Sequence, residues 1–146
     1  MTSPPDPAKP LEVTAALLAE RVELSQDGKL FILGVFDRII ASKLPATHPS
    51  LFLYVKFAAR VTYGTDHKIQ VACVDADGGV VIPRTDPLAI RFGIVGPGRP
   101  LVAQFIAEFA ETVFPVFGDY DFYVYMDGEH ILSVPLSVES KSAEES

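Results

Sequence analysis

The side chains that could do chemistry in this chain are few and widely spaced. The histidines His48, His67 and His130 lie in separate segments without a second metal ligand at a useful offset. A zinc site is therefore not indicated, although three loops could meet in the folded chain. Cys73 is the only cysteine and lies in an alternating apolar segment, which predicts a buried, inert thiol. We expect no catalytic residue, no metal site and no cofactor.

Two other motifs are better explained as turns and loops. Asp75, Asp77 and Gly79 begin like a calcium-binding loop, but Val80 stands at the sixth position, where that loop needs glycine. The glycines of segment 93–98 lack the spacing of a phosphate-binding loop, and no lysine followed by serine or threonine comes after them. The chain also lacks the Gly-x-Ser-x-Gly elbow of a serine hydrolase.

Composition is typical of one acidic globular domain. The chain has 146 residues, of which 49% are hydrophobic and 21% charged, with a net charge of -7. This charge argues against nucleic acid as a partner. The N-terminus lacks the pattern of a secretory signal, and no apolar run is long enough to span a membrane. We expect a cytoplasmic protein with a domain over residues 11–139, a disordered proline-rich tail over 1–10 and a disordered polar tail over 140–146.

The clearest structural signal is a β-hairpin near the C-terminus. From Tyr120 to Met126 apolar side chains alternate with Asp121, Tyr123 and Tyr125, which is the period of a strand. Asp127-Gly128 follows, and this dipeptide is preferred in a two-residue turn because both residues need positive φ. Alternation then resumes through Val138.

The rest of the chain also favours strands separated by turns. Segment 13–19 is a candidate first strand, and segment 30–40 is apolar on both faces, which predicts a central strand covered on both sides. Segment 43–50 contains two prolines and is predicted to be a loop, and segment 51–62 alternates cleanly. Segment 88–95 can hold one more strand. Segment 101–114 fits both helical and strand spacing, and we interpret it as a strand because a sandwich needs one there.

These elements predict an all-β fold. Seven to eight strands with regular turn signals are typical of an antiparallel β-sandwich of the immunoglobulin or fibronectin type. In such folds a tyrosine that opens the penultimate strand bonds back to the preceding corner. Gly118-Asp119-Tyr120 resembles that tyrosine corner.

Two blocks of sequence carry a resemblance to a known family. They are Gly28-Lys29-Leu30 leading into the segment Ile32–Ile39, and the ending Pro115-x-x-Gly118-x-Tyr120-x-Phe122 with Asp127-Gly128 and Val134-Pro135-Leu136. Over residues 13–138 the chain resembles a family of small, uncharacterised bacterial proteins. The resemblance implies a single-domain, immunoglobulin-like β-sandwich, and it transfers no catalytic residue.

Outward aromatic side chains are the most conspicuous functional feature. If the third strand lies beside the penultimate one, Phe52, Tyr54, Tyr123 and Tyr125 share an outer face. That face is either cross-strand packing or a protein interface, because tyrosine and phenylalanine are enriched in interface cores. Our first hypothesis is a non-enzymatic protein-interaction or self-association module. The alternative is a small-molecule or carbohydrate-binding sandwich that uses loops 43–50 and 96–100.

Self-association is expected because a lone sandwich would leave much apolar surface exposed. Segment 30–40 and the four aromatic residues contribute that surface. A two-fold homodimer would cover it. The open alternative is that the N-terminal strand folds over the sheet within one chain.

Overall fold

Two β-sheets make up the part of the chain that the computed structural model describes, residues 10–141. The tails predicted at 1–10 and 140–146 lie outside these residues except for Pro10, Ser140 and Lys141. The strands are β1 (Leu11–Leu24), β2 (Leu30–Phe36), β3 (Arg38–Ala41), β4 (Ala46–Ala59), β5 (Asp66–Asp75), β6 (Val80–Ile82), β7 (Leu88–Arg91), β8 (Gly93–Ile94), β9 (Leu101–Phe114), β10 (Gly118–Met126) and β11 (Glu129–Ser140). A 3₁₀ turn over Val61–Tyr63 precedes β5.

The sheets form a sandwich of the immunoglobulin type, as predicted. One sheet has five strands in the order β2-β1-β4-β9-β8, and the other has six with the path β3-β11-β10-β5-β6, with β7 also paired to β5. The neighbours are antiparallel except for β3, which runs parallel to β11. Seven strands have seven residues or more, and the four short strands β3, β6, β7 and β8 raise the number in the described chain to eleven.

The core lies between the inner faces of the two sheets. On β4 the side chains of Leu51, Leu53, Val55 and Phe57 are fully buried. They face alternate residues of β5 and β10, which are also buried in the same cluster: Ile69, Val71, Cys73, Tyr120, Phe122, Val124 and Met126. The alternation predicted for these three strands is confirmed. Burial of large apolar side chains contributes roughly 1.5–3 kcal/mol each, so these strands dominate the stability of the domain.

The segment with ambiguous spacing is the strand β9, which pairs with β4 along almost its whole length. Leu101 and Ala103 are buried, whereas Val113, which fitted the helical spacing, is 45% exposed. The strand changes its buried face at Glu111, whose φ is 55°. Beyond this residue, Thr112 and Phe114 are the buried positions.

Segment 30–40 does not form one central strand. The chain leaves the five-stranded sheet after β2 and enters the six-stranded sheet as β3, and both strands lie at a sheet edge. The side chains of Phe31, Leu33 and Val35 are 52%, 59% and 61% exposed. The expectation of a central strand is wrong because continuous apolar sequence cannot distinguish a strand buried on two faces from an edge strand followed by a change of sheet.

Three smaller expectations also need correction. Strand β4 begins at Ala46, so the predicted loop 43–50 is shorter than its prolines suggest. The strand predicted over 51–62 ends at Ala59, where the chain turns out of the sheet, so Val61 is 70% exposed. Segment 88–95 is divided between β7 in one sheet and β8 in the other, with the buried Phe92 between them.

The C-terminal hairpin and its corner are confirmed. Asp127 and Gly128 form the turn between β10 and β11, with φ of 53° and 84°. Tyr120 is 1% exposed, and its hydroxyl donates a hydrogen bond to the carbonyl of Val116 at 2.6 Å and accepts one from the amide of the same residue at 3.2 Å. This is the geometry of a tyrosine corner.

We predict that Gly128→Val destabilises the domain through its backbone alone. No atom lies within 4 Å of a Cβ built at Gly128, so steric contact with neighbours is not the cause. A β-branched residue in the left-handed region costs roughly 1–2 kcal/mol. Gly128→Asn is the control, because asparagine tolerates positive φ, and its melting temperature should fall less. Equal melting temperatures for wild type and Gly128→Val would contradict the turn assignment.

We predict that Tyr120→Phe lowers the free energy of unfolding by about 1 kcal/mol, because it removes two hydrogen bonds to Val116 while keeping the buried ring. Urea unfolding measures the difference. Tyr123→Phe, on the outer face of the same strand, is the matched control and should leave the unfolding midpoint unchanged. A loss no larger at Tyr120 than at Tyr123 would refute the role of the corner.

Candidate functional site

The four aromatic residues predicted to form one interface lie on two different sheets. Phe52 and Tyr54 belong to β4 of the five-stranded sheet, whereas Tyr123 and Tyr125 belong to β10 of the six-stranded sheet. All four side chains point away from the core, so the two pairs lie on opposite outer surfaces. The prediction that these residues share one face is wrong, because β10 has β5 and β11 as its neighbours rather than β4.

The pair on the five-stranded sheet is largely covered within the chain. Tyr54 is 4% exposed and forms a small cluster with Ala19 and Val22 of β1. Side chains from the β1–β2 hairpin, including Leu30 and Ile32, pack against this cluster. The Tyr54 hydroxyl donates to Oε1 of Gln104 at 2.5 Å, and burial raises the pKa of this tyrosine. Tyr54 is therefore a packing residue, and this part of the predicted apolar surface is covered by side chains of the same chain. The N-terminal strand β1 does so as the neighbour of β4 in the sheet and does not fold over it.

The pair on the six-stranded sheet is half-exposed and has two further partners. We call the surface of Tyr123, Tyr125, His130 and Arg84 the tyrosine face. The rings of Tyr123 and Tyr125 meet edge to face with centroids 6.5 Å apart, and His130 lies 4.7 Å and 5.7 Å from them. The guanidinium carbon of Arg84 lies 3.6 Å from the centre of the Tyr125 ring, which is a cation–π contact.

Different elements supply the tyrosine face. The two tyrosines come from β10, His130 lies opposite Tyr125 at the start of β11, and Arg84 comes from the loop after β6. Nε2 of His130 and the Ser133 hydroxyl lie 3.0 Å apart. The alternation of β10 identified the tyrosines, but nothing in the local sequence placed Arg84 beside them. His130 could have been found by continuing the register across the hairpin.

A second polar cluster joins His67 to the turn of the hairpin. Nδ1 of His67 donates to Oδ2 of Asp127 at 2.6 Å, and Nε2 donates to the carbonyl of Gly64 at 3.0 Å. The ring stacks on Tyr63 with centroids 4.1 Å apart. Because both ring nitrogens face acceptors, the arrangement fits the imidazolium form.

Electrostatics of this pair follow from its contacts. Burial lowers the pKa of His67, but the hydrogen bonds to Asp127 and Gly64 outweigh burial and raise this pKa above 6.5. Burial raises the pKa of Asp127, and the hydrogen bonds from His67 and the Lys68 amide outweigh it and lower this pKa below 3.8. The Lys68 amide donates to Oδ1 of Asp127 at 2.9 Å. The pair therefore ties the turn to β5.

The remaining reactive side chains have structural surroundings. Cys73 is fully buried, and burial raises the pKa of its thiol to about 12, with smaller contributions from Asp121 and Asp75. The Asp75 carboxylate accepts hydrogen bonds from the amides of Asp77 and Gly79 at 2.9 Å and 2.7 Å, so it closes the turn before β6. Nε2 of His48 lies 3.3 Å from the Glu20 carboxylate. His48 is well separated in the sequence from the other two histidines.

The loops proposed for a small-molecule site do not meet. Residue Ala46 pairs with Phe114 at one end of the β4–β9 ladder, and Ala59 pairs with Leu101 at the other. Loop 43–45 and loop 96–100 therefore lie at opposite ends of 14-residue strands. A cleft of about 340 Å³ lies instead beside β1, β2 and β11, and its lining is mostly apolar: Ala16, Leu17, Leu18, Val35, Phe36, Asp37, Val134 and Pro135.

Within residues 10–141, no group of three or more histidine, cysteine, aspartate or glutamate side chains could hold a metal ion. None of the helical structure in this part of the chain is long and apolar enough to cross a membrane.

We predict that Asp127→Asn lowers stability most between about pH 4 and 6.5. His67 contributes stability below its unfolded pKa of 6.5 and loses it as pH rises through the higher folded value. Asp127 contributes above 3.8 and loses its contribution as pH falls through the lower folded value. Asparagine keeps the turn, because it tolerates positive φ.

The measurement is urea unfolding of wild type and variant across this pH range, with NMR titration of His67, whose pKa should fall in Asp127→Asn. Asp86→Asn in an exposed loop is the control. A stability difference that does not vary with pH would contradict the charged pair.

Comparisons with known proteins support the fold. The domain is similar to part of the Pseudomonas fluorescens alkylpurine DNA glycosylase AlkC, solved bound to DNA containing an abasic site analog, with a TM-score of 0.56 and 11% identity. The match covers 90% of this chain but 31% of that one, so this chain spans about a third of that protein. An immunoglobulin-like protein from Pseudomonas aeruginosa gives a TM-score of 0.38 at 13% identity, covering 92% of this chain and 100% of that one.

At 11% identity the likeness to the glycosylase shows the fold alone. A comparison with curated proteins finds no match. The family model that matches spans residues 14–139, from the first strand to the end of the last one. This range includes the tyrosine face, the His67–Asp127 pair and both sheets. The chain belongs to DUF6941, a family of unknown function.

Proposed function

We propose that this domain is a non-enzymatic protein-interaction module whose contact surface is the tyrosine face. The observation that carries the proposal is the half-exposed pair Tyr123 and Tyr125, with Arg84 stacked on one ring and His130 beside both. Tyrosine and arginine are the side chains most enriched among residues that dominate binding energy in interfaces. Aromatic side chains held in place on a sheet can form the centre of a protein–protein contact.

The burial of Cys73 and the hydrogen bonds of His67 support a binding role. The Cys73 thiol is buried with a pKa of about 12, and both ring nitrogens of His67 are engaged by Asp127 and Gly64. A nucleophile must be accessible and a general base must reach its substrate. These two side chains meet neither requirement.

Basic side chains lie at one end of the tyrosine face and acidic side chains at the other. Arg84 stacks on Tyr125, and Lys68 stands two residues before Gln70, which pairs with Tyr125. Asp119 and Asp121 lie on the outer side of the same strand as the tyrosines, beyond Tyr123. A partner with complementary charges at both ends would be held in one orientation, since charge complementarity fixes register more than affinity.

We expect one specific protein to be captured by a photo-crosslinking phenylalanine analogue placed at Tyr123 in cells of the source organism. The matched control is the same analogue at Ile106, on the outer face of the other sheet and 37% exposed. Tyr125→Ala should abolish the adduct, because loss of a dominant interface residue weakens binding by about 2 kcal/mol or more. Glu108→Ala should not. Equal adducts at both positions, or none at Tyr123, would refute the proposal.

A further inference from the structure

The edge strand β2 differs from the other edge strands of the described sheets. Proteins protect sheet edges with short strands, charged side chains or proline, because an open edge can pair with another chain. Strands β3, β6, β7 and β8 have four, three, four and two residues. The stretches of β9 and β11 that extend beyond β8 and β3 carry Glu108 and Glu111, and Glu129 and Pro135. Strand β2 has seven residues and carries neither charge nor proline, and Phe31, Leu33 and Val35 are more than half exposed.

We propose that β2 pairs with the β2 strand of a second copy, antiparallel, about a two-fold axis at Leu33. Leu33 is the middle residue of Leu30–Phe36, so this register uses the whole strand. Leu33 then lies opposite its own copy. Because the side chains of both copies of Leu33 project to the same face, they form an apolar cross-strand pair at the axis.

Charge complementarity favours the same register. Lys29 and Asp37 flank β2, are exposed, and stand four residues to either side of Leu33. In an antiparallel pair centred on Leu33, each Lys29 lies opposite Asp37 of the other copy. Shifting the axis by half a residue would move each charge out of opposition, and the two-fold symmetry supplies the contact twice.

Pairing of this type closes on itself. Each copy uses its β2 edge, and at the other side of the same sheet β8 pairs only with Leu101 and Val102 of β9, while the rest of that β9 edge carries Glu108 and Glu111. A second copy is therefore the occupant that fits at β2, and growth into a fibre is opposed by the charged side chains on β9. The interface lies on the edge of the five-stranded sheet, apart from the tyrosine face, so variants can separate the two proposals.

Cysteine crosslinking of the full chain tests the register. We expect Leu33→Cys to form a disulfide-linked dimer under mild oxidation, because opposed residues in an antiparallel pair have Cα atoms about 4.5–5.5 Å apart, within disulfide reach. Phe31→Cys is the control, since two copies of residue 31 would be more than about 10 Å apart along the strands. The native Cys73 is buried and should not contribute.

Light scattering tests the dimer itself. Wild type should have twice the monomer mass of 15.9 kDa, and Leu33→Lys should be monomeric because two lysines would meet at the axis. Ile94→Lys on β8, where residue 94 is 77% exposed, should remain dimeric. Lys29→Asp should weaken the dimer, and adding Asp37→Lys should restore it.

A monomeric wild type, or crosslinking of Phe31→Cys as efficient as that of Leu33→Cys, would overturn the proposal. Failure of the double charge exchange to restore the dimer would overturn the register. Circular dichroism of each variant shows that it is folded, and the crosslink at Tyr123 to another protein is not expected to change in Leu33→Lys.

Discussion

The burial of β4 against β5 and β10 is the interaction on which the rest of the structure depends. Leu53, Val55 and Phe57 on one sheet are fully buried against residues such as Phe122 and Val124 on the other. Because side chains alternate along a strand, this packing also determines what points outward. Tyr123 and Tyr125 reach the surface because their neighbours fill the core, and the tyrosine face is a direct consequence of that register.

A sandwich of two open sheets has edge strands, and the edge strands β2 and β3 of this protein differ in length and exposure. The crossing at Asp37 gives each sheet one of its edge strands, β2 on one side and β3 on the other. Strand β3 is short and is held to β11, with the Ser137 amide donating to the Asp37 carbonyl at 3.0 Å. On its outer side, strand β2 has a full row of backbone N–H and C=O groups with no neighbouring strand among the described residues, and it carries exposed apolar side chains. The same crossing that joins the sheets therefore creates the open edge.

Alternation and turn chemistry predicted much of this fold from the sequence. The hairpin at Asp127-Gly128 and the corner at Tyr120 follow from local pattern. Strand β9 does not, because its spacing also fits a helix and its prediction as a strand rests on the needs of the sandwich. Sheet partners do not, because a period of two shows which residues of a strand share a face but not which strand lies beside it. That is why the grouping of Tyr54 with Tyr123 was wrong.

The residues at which the alternation of buried and exposed side chains reverses also could not be predicted from the sequence. Glu111 has a φ of 55°, and Gly34 has a φ of 67° with the Glu20 side chain 2.7 Å from a Cβ built on it. Each interrupts a strand whose sequence is apolar on both sides, so exposed and buried positions exchange without a visible signal. The contact between Arg84 and Tyr125 depends on the path of a loop between two sheet edges, which also has no local signature.

The two proposed surfaces lie on different sheets, so one dimer could use both. The β2 edge belongs to the five-stranded sheet, whereas the tyrosine face covers the outside of the six-stranded sheet. Pairing through β2 would join two five-stranded sheets into one continuous sheet and leave both tyrosine faces exposed. A dimer of this form would present two identical binding surfaces on one rigid body, and binding at the second would then occur at the effective concentration set by the first. Weak contacts through Tyr123 and Tyr125 would thereby become strong whenever the partner is itself repeated.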